Sequence, residues 1–258
     1  MSGFSAAWLA LREPADTAAR SSALASFVAG RPPMGRLLDL GGGTGANVRY
    51  LSSRLPTPQF WTIVDNDAAL LARAPVHATR RHADLNAAVA DEELFAGSSI
   101  VTASALLDLV SERWLATLVD RCRAAGAGVL FALSYDGRVV CSPEEPEDDE
   151  IRRLVNQHQK RDKGFGPALG PDAAARAVQL LSTAGYTTKQ ERSDWKLTAD
   201  SRMLQRELVI GWGDAASELA ADRKASIDAW RVRRLAHIDA GRSRIVVGHV
   251  DVAGVLRA

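Results

Sequence analysis

Leu38-Asp39-Leu40-Gly41-Gly42-Gly43-Thr44-Gly45-Ala46 is the stretch that decides the fold. With Arg36 and Leu37 it begins as a short apolar run of buried-strand character, then breaks into four glycines within five positions. A simple turn needs fewer. Glycines at this density let the backbone approach a ligand closely, and the helix predicted over 46–55 offers the free N–H groups of its first turn. Strand, glycine turn and helix in that order bind a nucleotide-like cofactor. Two cofactor classes stay open at this point, because Gly41 to Ala46 also fits the G-x-G-x-x-A form of a dinucleotide fingerprint, with Asp65 about 20 residues on.

Outward from this loop the pattern repeats. Phe60-Trp61-Thr62-Ile63-Val64 is β-branched and aromatic and ends in Asp65-Asn66-Asp67, from which a helix starts. A short strand is predicted over 76–80 ahead of Ala83-Asp84-Leu85-Asn86, a buried strand over 99–103, a helix over 112–125 and a strand over 128–134. This alternation predicts a parallel, doubly wound sheet with helices on both faces. Before the loop, 5–29 has the spacing of a helical cap that Pro14 breaks or restarts, and Arg31-Pro32-Pro33-Met34-Gly35 punctuates. After Asp136-Gly137 come an acidic, proline-containing run over 143–150, an amphipathic segment over 151–159 and a basic loop over 160–171. A helix follows over 172–184 with Asp172 as N-cap and Gly185 as C-cap, then a strand over 187–197, helices over 203–219 and 222–240, and a last strand over 244–250. No repeat or low-complexity linker interrupts the chain. It reads as one domain over 1–258, with a helical cap over 1–30, a cofactor-binding core over 36–135 and helical additions over 138–171 and 198–243.

Composition narrows the function. The 258 residues are 47% hydrophobic and 24% charged, which suits a globular core and argues against disorder. Lys and Arg (32) nearly cancel Asp and Glu (31), so a polyanion would meet no global attracting field and a nucleic-acid partner would need a local basic patch. No apolar run reaches the roughly 18–20 residues of a membrane span, and Met1-Ser2-Gly3-Phe4 has no charged region before an apolar stretch, which predicts a cytoplasmic protein without a membrane partner. Cys122 and Cys141 lack CxxC spacing and read as buried spectators. His77, His82 and His237 have no metal spacing, and HExxH, a P-loop lysine and a G-x-S-x-G elbow are absent, so metal-dependent, kinase and serine-hydrolase chemistry lose their main support.

The wider spacing separates the two cofactor readings: Asp39 inside the strand end, D-x-G-x-G-x-G, Asp65 after the second strand and Asp84 after the third. Leu38 to Gly45 resembles motif I of class I S-adenosylmethionine-dependent methyltransferases, and Val64-Asp65-Asn66-Asp67 resembles that family's acidic second-strand end, the likeness spanning roughly 36–135. The resemblance implies a Rossmann-like α/β fold whose seven-stranded, mostly parallel sheet ends in an antiparallel strand near 244–250. It implies S-adenosylmethionine as cofactor, with S-adenosylhomocysteine as product. Asp65 with Asn66 would meet the ribose hydroxyls, Asp84 and the Leu85 backbone the adenine edge, and Gly41, Gly42 and Gly43 the methionine part. Asp39 would orient the loop and face the cofactor's amino group, and Ser104, in a fourth-strand segment similar to the family's sulfonium-facing one, is the next contact.

Ligands of open α/β sheets lie beyond the carboxyl ends of the strands. That rule gathers Trp8, Arg12, Asp16 and Arg20 of the cap, Ser134-Tyr135-Asp136 after the fifth strand, and His158, Lys160, Arg161, Lys163 and Phe165 of the insertion around the substrate. His158 is the first candidate base, because imidazole titrates near neutrality, with Asp108 and Tyr135 as alternatives. The loop over 160–166 would clamp an anionic substrate with Phe165 stacked on it, or serve as an exposed hinge; His249, alternating with apolar residues, reads as structural. The activity this points to is methylation of O or N on a small metabolite. Alternatives are an RNA or protein methyltransferase, a non-catalytic cofactor-binding protein, and an NAD-dependent dehydrogenase. No Asn/Asp-Pro-Pro-Tyr/Phe sequence occurs, which argues against methylation of nucleobase amines.

Overall fold

The aliphatic and aromatic runs pair as strands, and the segments between them coil. In the computed structural model, which describes residues 4–30 and 35–257, the order is α1 (Ala6–Ala19), α2 (Ser22–Ala29), β1 (Arg36–Leu40), α3 (Ala46–Leu51), β2 (Phe60–Asp65), α4 (Ala68–Leu71) and β3 (Thr79–His82). Then come α5 (Leu85–Ala90), α6 (Glu92–Phe95), β4 (Ser98–Ser104), α7 (Glu112–Ala124), β5 (Gly128–Ser142), α8 (Asp148–Gln159), α9 (Ala173–Thr183) and β6 (Tyr186–Arg192). The chain closes with β7 (Trp195–Leu197), α10 (Arg202–Leu219), α11 (Lys224–Asp239) and β8 (Arg244–Leu256). The punctuation at Arg31-Pro32-Pro33-Met34 and the start at Met1-Ser2-Gly3 lie outside the described residues.

One sheet holds all eight strands in the order β3-β2-β1-β4-β5-β8-β6, with β7 also on β8. β1 to β5 pair in parallel, and β8 runs antiparallel to β5, β6 and β7. The seven expected strands are all present, and the eighth arises because 187–197 is broken at Ser193-Asp194. There the Ser193 N–H bonds the His249 carbonyl at 2.9 Å while the Asp194 carboxylate turns to Arg138. Side-chain alternation along β1 feeds two cores: Leu38 and Leu40 pack with α5, α7 and α9, and Leu37 packs with α2 and α3. A third cluster under α8, α10 and α11 centres on Trp230, Ile227, Val209 and Ile245.

Several local expectations change for tertiary reasons. Pro14 sits inside α1 without breaking it; the break falls at Arg20-Ser21, where the Ser21 N–H is drawn to Asp251 on β8 at 2.9 Å and its hydroxyl caps α2. The third strand is Thr79–His82 rather than 76–80, a wholly exposed edge strand of polar residues, and Val76 lies in the solvent before it. The helix expected to reach Leu55 ends at Leu51. Asp136-Gly137 does not end β5. Gly137, at φ +85°, lies in an irregularity of the β5–β8 ladder, which resumes at Val139 opposite Val247 and makes both strands far longer than their apolar runs. The Asp172 side chain does not cap α9; it accepts from Lys160 Nζ at 2.7 Å.

Candidate functional site

At the carboxyl ends of β1, β2 and β4 and beside the middle of β5 lies a cavity of about 930 Å³, roofed by α1, α8 with the residues after it, and α10. The glycine loop forms one wall. Gly41, Gly43 and Gly45 all take positive φ, which suits residues without a side chain, and the N–H groups of Gly41 and Gly42 bond the Val64 carbonyl. A Cβ on Gly42 would fall 2.5 Å from Asp39 Oδ2 and 2.6 Å from Ile63 Cγ2, so the loop is packed from behind.

Two carboxylates hold this loop. Asp65 accepts the Gly43 N–H at 2.8 Å through Oδ2 and the Asp67 N–H at 2.9 Å through Oδ1, while still lining the cavity with Asn66. Asp39 is fully buried beneath the loop; Oδ1 accepts from Asn47 Nδ2 at 2.6 Å and Oδ2 has no partner. Burial pushes its carboxyl up to about 7, against the opposing pull of the Asn47 hydrogen bond and of Arg20. Arg20 faces the same wall: the guanidinium lies 4.0 Å over the Tyr50 ring, is 8% exposed, and leaves Nε and Nη2 without partners. Burial lowers its pKa, with Asp251, Tyr50, Asp39 and Asp16 opposing.

Along α1, Trp8, Arg12, Asp16 and Arg20 stand four residues apart on one face, and all four line the cavity. Arg12 is bidentate to Asp16 at 2.9 and 3.1 Å and lies over the Trp195 ring, whose Nε1 donates to Asp16 at 3.0 Å. On the far side the backbone is strained just after β4 and within β5, with Ala105 and Leu133 at positive φ. The Leu133 N–H bonds Asp251 at 2.7 Å, so one buried carboxylate fixes both this kink and the α1–α2 junction.

Of the other expected site residues, Leu85, Ser104, Asp108, Tyr135, His158, Lys163 and Phe165 line the cavity. Asp84 does not: it is exposed and caps α5 by accepting the Asn86 N–H at 3.1 Å. Ser134 and Asp136 also stay outside, the latter paired with Arg138. Lys160 and Arg161 turn outward to Asp172 and Glu218. Phe165 packs edge-on against Trp114, and the Gly164 carbonyl accepts from Asn86, which ties the basic loop to the core at these two residues.

The candidate bases separate by their partners. Both ring nitrogens of His158 are engaged, Nε2 with Glu218 at 3.1 Å and Nδ1 with Lys163 at 3.5 Å, and burial lowers its pKa. Tyr135 donates its hydroxyl to Asn156 at 2.8 Å, and burial followed by Asp136 raises its pKa. Asp108 is 7% exposed, its Oδ1 has no partner, and burial pushes the carboxyl up to about 6. His249 is held neutral by burial, at about 3; it is braced by Trp195 and Tyr135, and it also lines the cavity. Cys122 and Cys141 are buried and free, and no metal-ligand cluster exists among the described residues.

No protein-family model matches the chain, and no curated protein matches it in sequence. Solved structures do match in shape. The YcgJ protein of Bacillus subtilis aligns over 92% of this chain and 98% of its own, at a TM-score of 0.51 and 14% identity. A Bacillus halodurans protein described as a methyltransferase candidate aligns over 91% and 96%, at a TM-score of 0.51 and 12% identity. The chain has the class I methyltransferase fold. Within that methyltransferase fold, sequence reading missed Tyr50, Trp195 and Trp212, which also line the cavity. Trp195 carried a local signal, an aromatic residue in a polar strand; Trp212 on α10 carried none. No helix among the described residues is long and apolar enough to cross a membrane.

Proposed function

We propose that this chain is an S-adenosylmethionine-dependent methyltransferase that transfers a methyl group to O or N of a small metabolite. The observation that carries the reading is the meeting, in one cavity, of a positive-φ glycine loop with a buried arginine whose Nε and Nη2 are unpartnered. Buried donors left unmade are costly, and an α-carboxylate satisfies a guanidinium in bidentate fashion. The donor set therefore suits the amino-acid end of the cofactor: Arg20 for its carboxylate, and the Gly41–Gly43 backbone, backed by Asp39, along the methionine part. Asp65 has spent two of roughly four acceptor positions on backbone N–H groups and keeps the others for ribose hydroxyls. With Asp84 committed to its helix cap, the adenine edge falls to the Leu85 backbone.

When bound, the cofactor supplies an electrophilic methyl on a sulfonium. The chain's own residues must then place the acceptor in line, exclude water and take its proton. We assign that proton to Asp108, which lines the cavity and has a buried Oδ1 without a partner, while His158 and Tyr135 are engaged. Ser104, at the end of β4, lines the cavity and would contact the cofactor there. A small acceptor is favoured over RNA or protein, since Lys160 and Arg161 are spent on Asp172 and Glu218 and do not form a free basic patch.

Calorimetric titration tests the reading, with S-adenosylhomocysteine, 5′-methylthioadenosine and NAD as ligands for wild type and Arg20→Met. The charged contact predicts that Arg20→Met loses roughly tenfold to a hundredfold in affinity for S-adenosylhomocysteine and almost nothing for methylthioadenosine, which lacks the amino-acid end. Binding of NAD alone would replace the methyltransferase reading with the dehydrogenase one. Equal losses for both sulfur compounds would remove Arg20 from the carboxylate.

A further inference from the structure

The unspent polar atoms around the cavity fall into two groups. Arg20 and Asp39 lie at the glycine loop. Away from it, Trp8 Nε1 and Asp108 Oδ1 are buried without partners. Lys163 joins them: it is half-buried and lines the cavity, the carboxylates it feels are Glu218 first and Asp108 second, and among the described residues it has none within ion-pair distance. Its polar contact is His158 Nδ1 at 3.5 Å, and His158 turns its other nitrogen to Glu218, so the imidazole presents a lone pair to the ammonium and steadies it. Arg12 is not available, being spent on Asp16. The walls between these groups are flat. Aromatic residues are only 6% of the chain, yet Trp8, Tyr135, Phe165, Trp195 and Trp212 all line this cavity.

We propose that the acceptor is an aromatic carboxylic acid bearing a hydroxyl or amino group, held with its carboxylate on Lys163, its ring among the aromatic side chains of the wall, and its O–H or N–H on Asp108. This rests on the methyltransferase reading. One uncommitted cation matches a single negative charge; a phosphate dianion would ask for more. Indole faces favour a planar ring over an aliphatic chain of equal area. A buried acceptor that the protein leaves without a donor is matched by a ligand that brings one, which assigns the O–H or N–H to Asp108 Oδ1. In the transfer, the acceptor's proton moves to Asp108 as its lone pair forms the new bond to the methyl carbon. The S–C bond breaks with its electron pair staying on sulfur, leaving a neutral thioether, and the proton then passes from Asp108 to water.

The test is calorimetric titration at pH 7.5, with and without S-adenosylhomocysteine, of the three hydroxybenzoate isomers, 4-aminobenzoate and 5-hydroxyindole-2-carboxylate. Methyl 4-hydroxybenzoate, phenol and cyclohexanecarboxylate serve as controls. At least one aromatic acid is expected to bind, with the ester and the alicyclic acid roughly tenfold or more weaker. Lys163→Met should cost that acid a similar factor while leaving phenol and S-adenosylhomocysteine affinity unchanged, and Lys163→Gln provides a second variant. Ester binding equal to acid, cyclohexanecarboxylate equal to the aromatic acids, no effect of either Lys163 variant, or binding of none of the acids would each overturn the proposal. Failure of S-adenosylhomocysteine to bind would instead defeat the methyltransferase reading, and the preference for acid over ester is read independently from the titrations without it.

Discussion

Replacing Asp65 with Asn removes one oxygen and one charge from the point where β2 holds the glycine loop. In the native site the two carboxylate oxygens accept the Gly43 N–H at 2.8 Å and the Asp67 N–H at 2.9 Å, and the side chain is 7% exposed. The asparagine amide keeps one acceptor and turns an NH₂ against the other N–H, a donor facing a donor. One charge-assisted bond worth about 1.5–3 kcal/mol is lost, and the survivor falls to a neutral bond worth about 0.5–1.5 kcal/mol. The sum is a destabilisation of about 2.5–4.5 kcal/mol, or roughly 5–18 °C in Tm for a chain of this size. Thermal unfolding followed by circular dichroism measures it. Asp84→Asn is the control: Asp84 is exposed and caps α5, and asparagine caps as well as aspartate, so its Tm should stay at the wild-type value. An Asp65→Asn protein melting within about 1 °C of wild type would refute the argument that this carboxylate holds the loop.

Further predictions concern the same wall and the base. Gly42→Ala places a Cβ 2.5 Å from Asp39 Oδ2 and 2.6 Å from Ile63, so it should cut S-adenosylhomocysteine affinity at least tenfold in calorimetry; an unchanged isotherm would contradict the close packing behind the loop. With Asp108 ionising at about 6, the methyl-transfer rate at low substrate should rise with pH up to about 6 and level above it, and Asp108→Asn should lose both the rate and the slope. Asp39 has a folded pKa of about 7, above its unfolded value of 3.8, so its contribution to stability is present in full below pH 3.8 and is lost as pH rises through 7. Urea unfolding should therefore show Asp39→Asn gaining on wild type between pH 5 and 8. Comparing variant with wild type cancels the opposite trend of His249, whose lowered folded pKa adds stability as pH rises from about 3 to 6.5.

Sequence and structure agree most closely where the signal is local. β1 and the start of α7 fall where the apolar pattern put them, and Asp65 stands at the end of its strand beside the loop. They diverge where a distant partner decides. Pro14 sits within α1, and Ser21 breaks the chain instead because Asp251, 230 residues away, takes its N–H. His158 looks like a base in isolation, yet Glu218 and Lys163 occupy it. Asp108, an alternative to His158 in the sequence, is set apart by the unpartnered oxygen that burial leaves it.

By itself the sequence determined the alternation of strands and helices, the glycine loop and the acidic strand ends, because hydrophobic period and turn chemistry are properties of neighbouring residues. Tertiary structure alone decided which groups share the cavity. Trp8, Trp195 and Trp212 come from α1, β7 and α10, and none of these elements predicts the others' approach. It also decided which polar atoms remain unspent, since a side chain's reactivity depends on whether packing elsewhere in the chain has already supplied its partner.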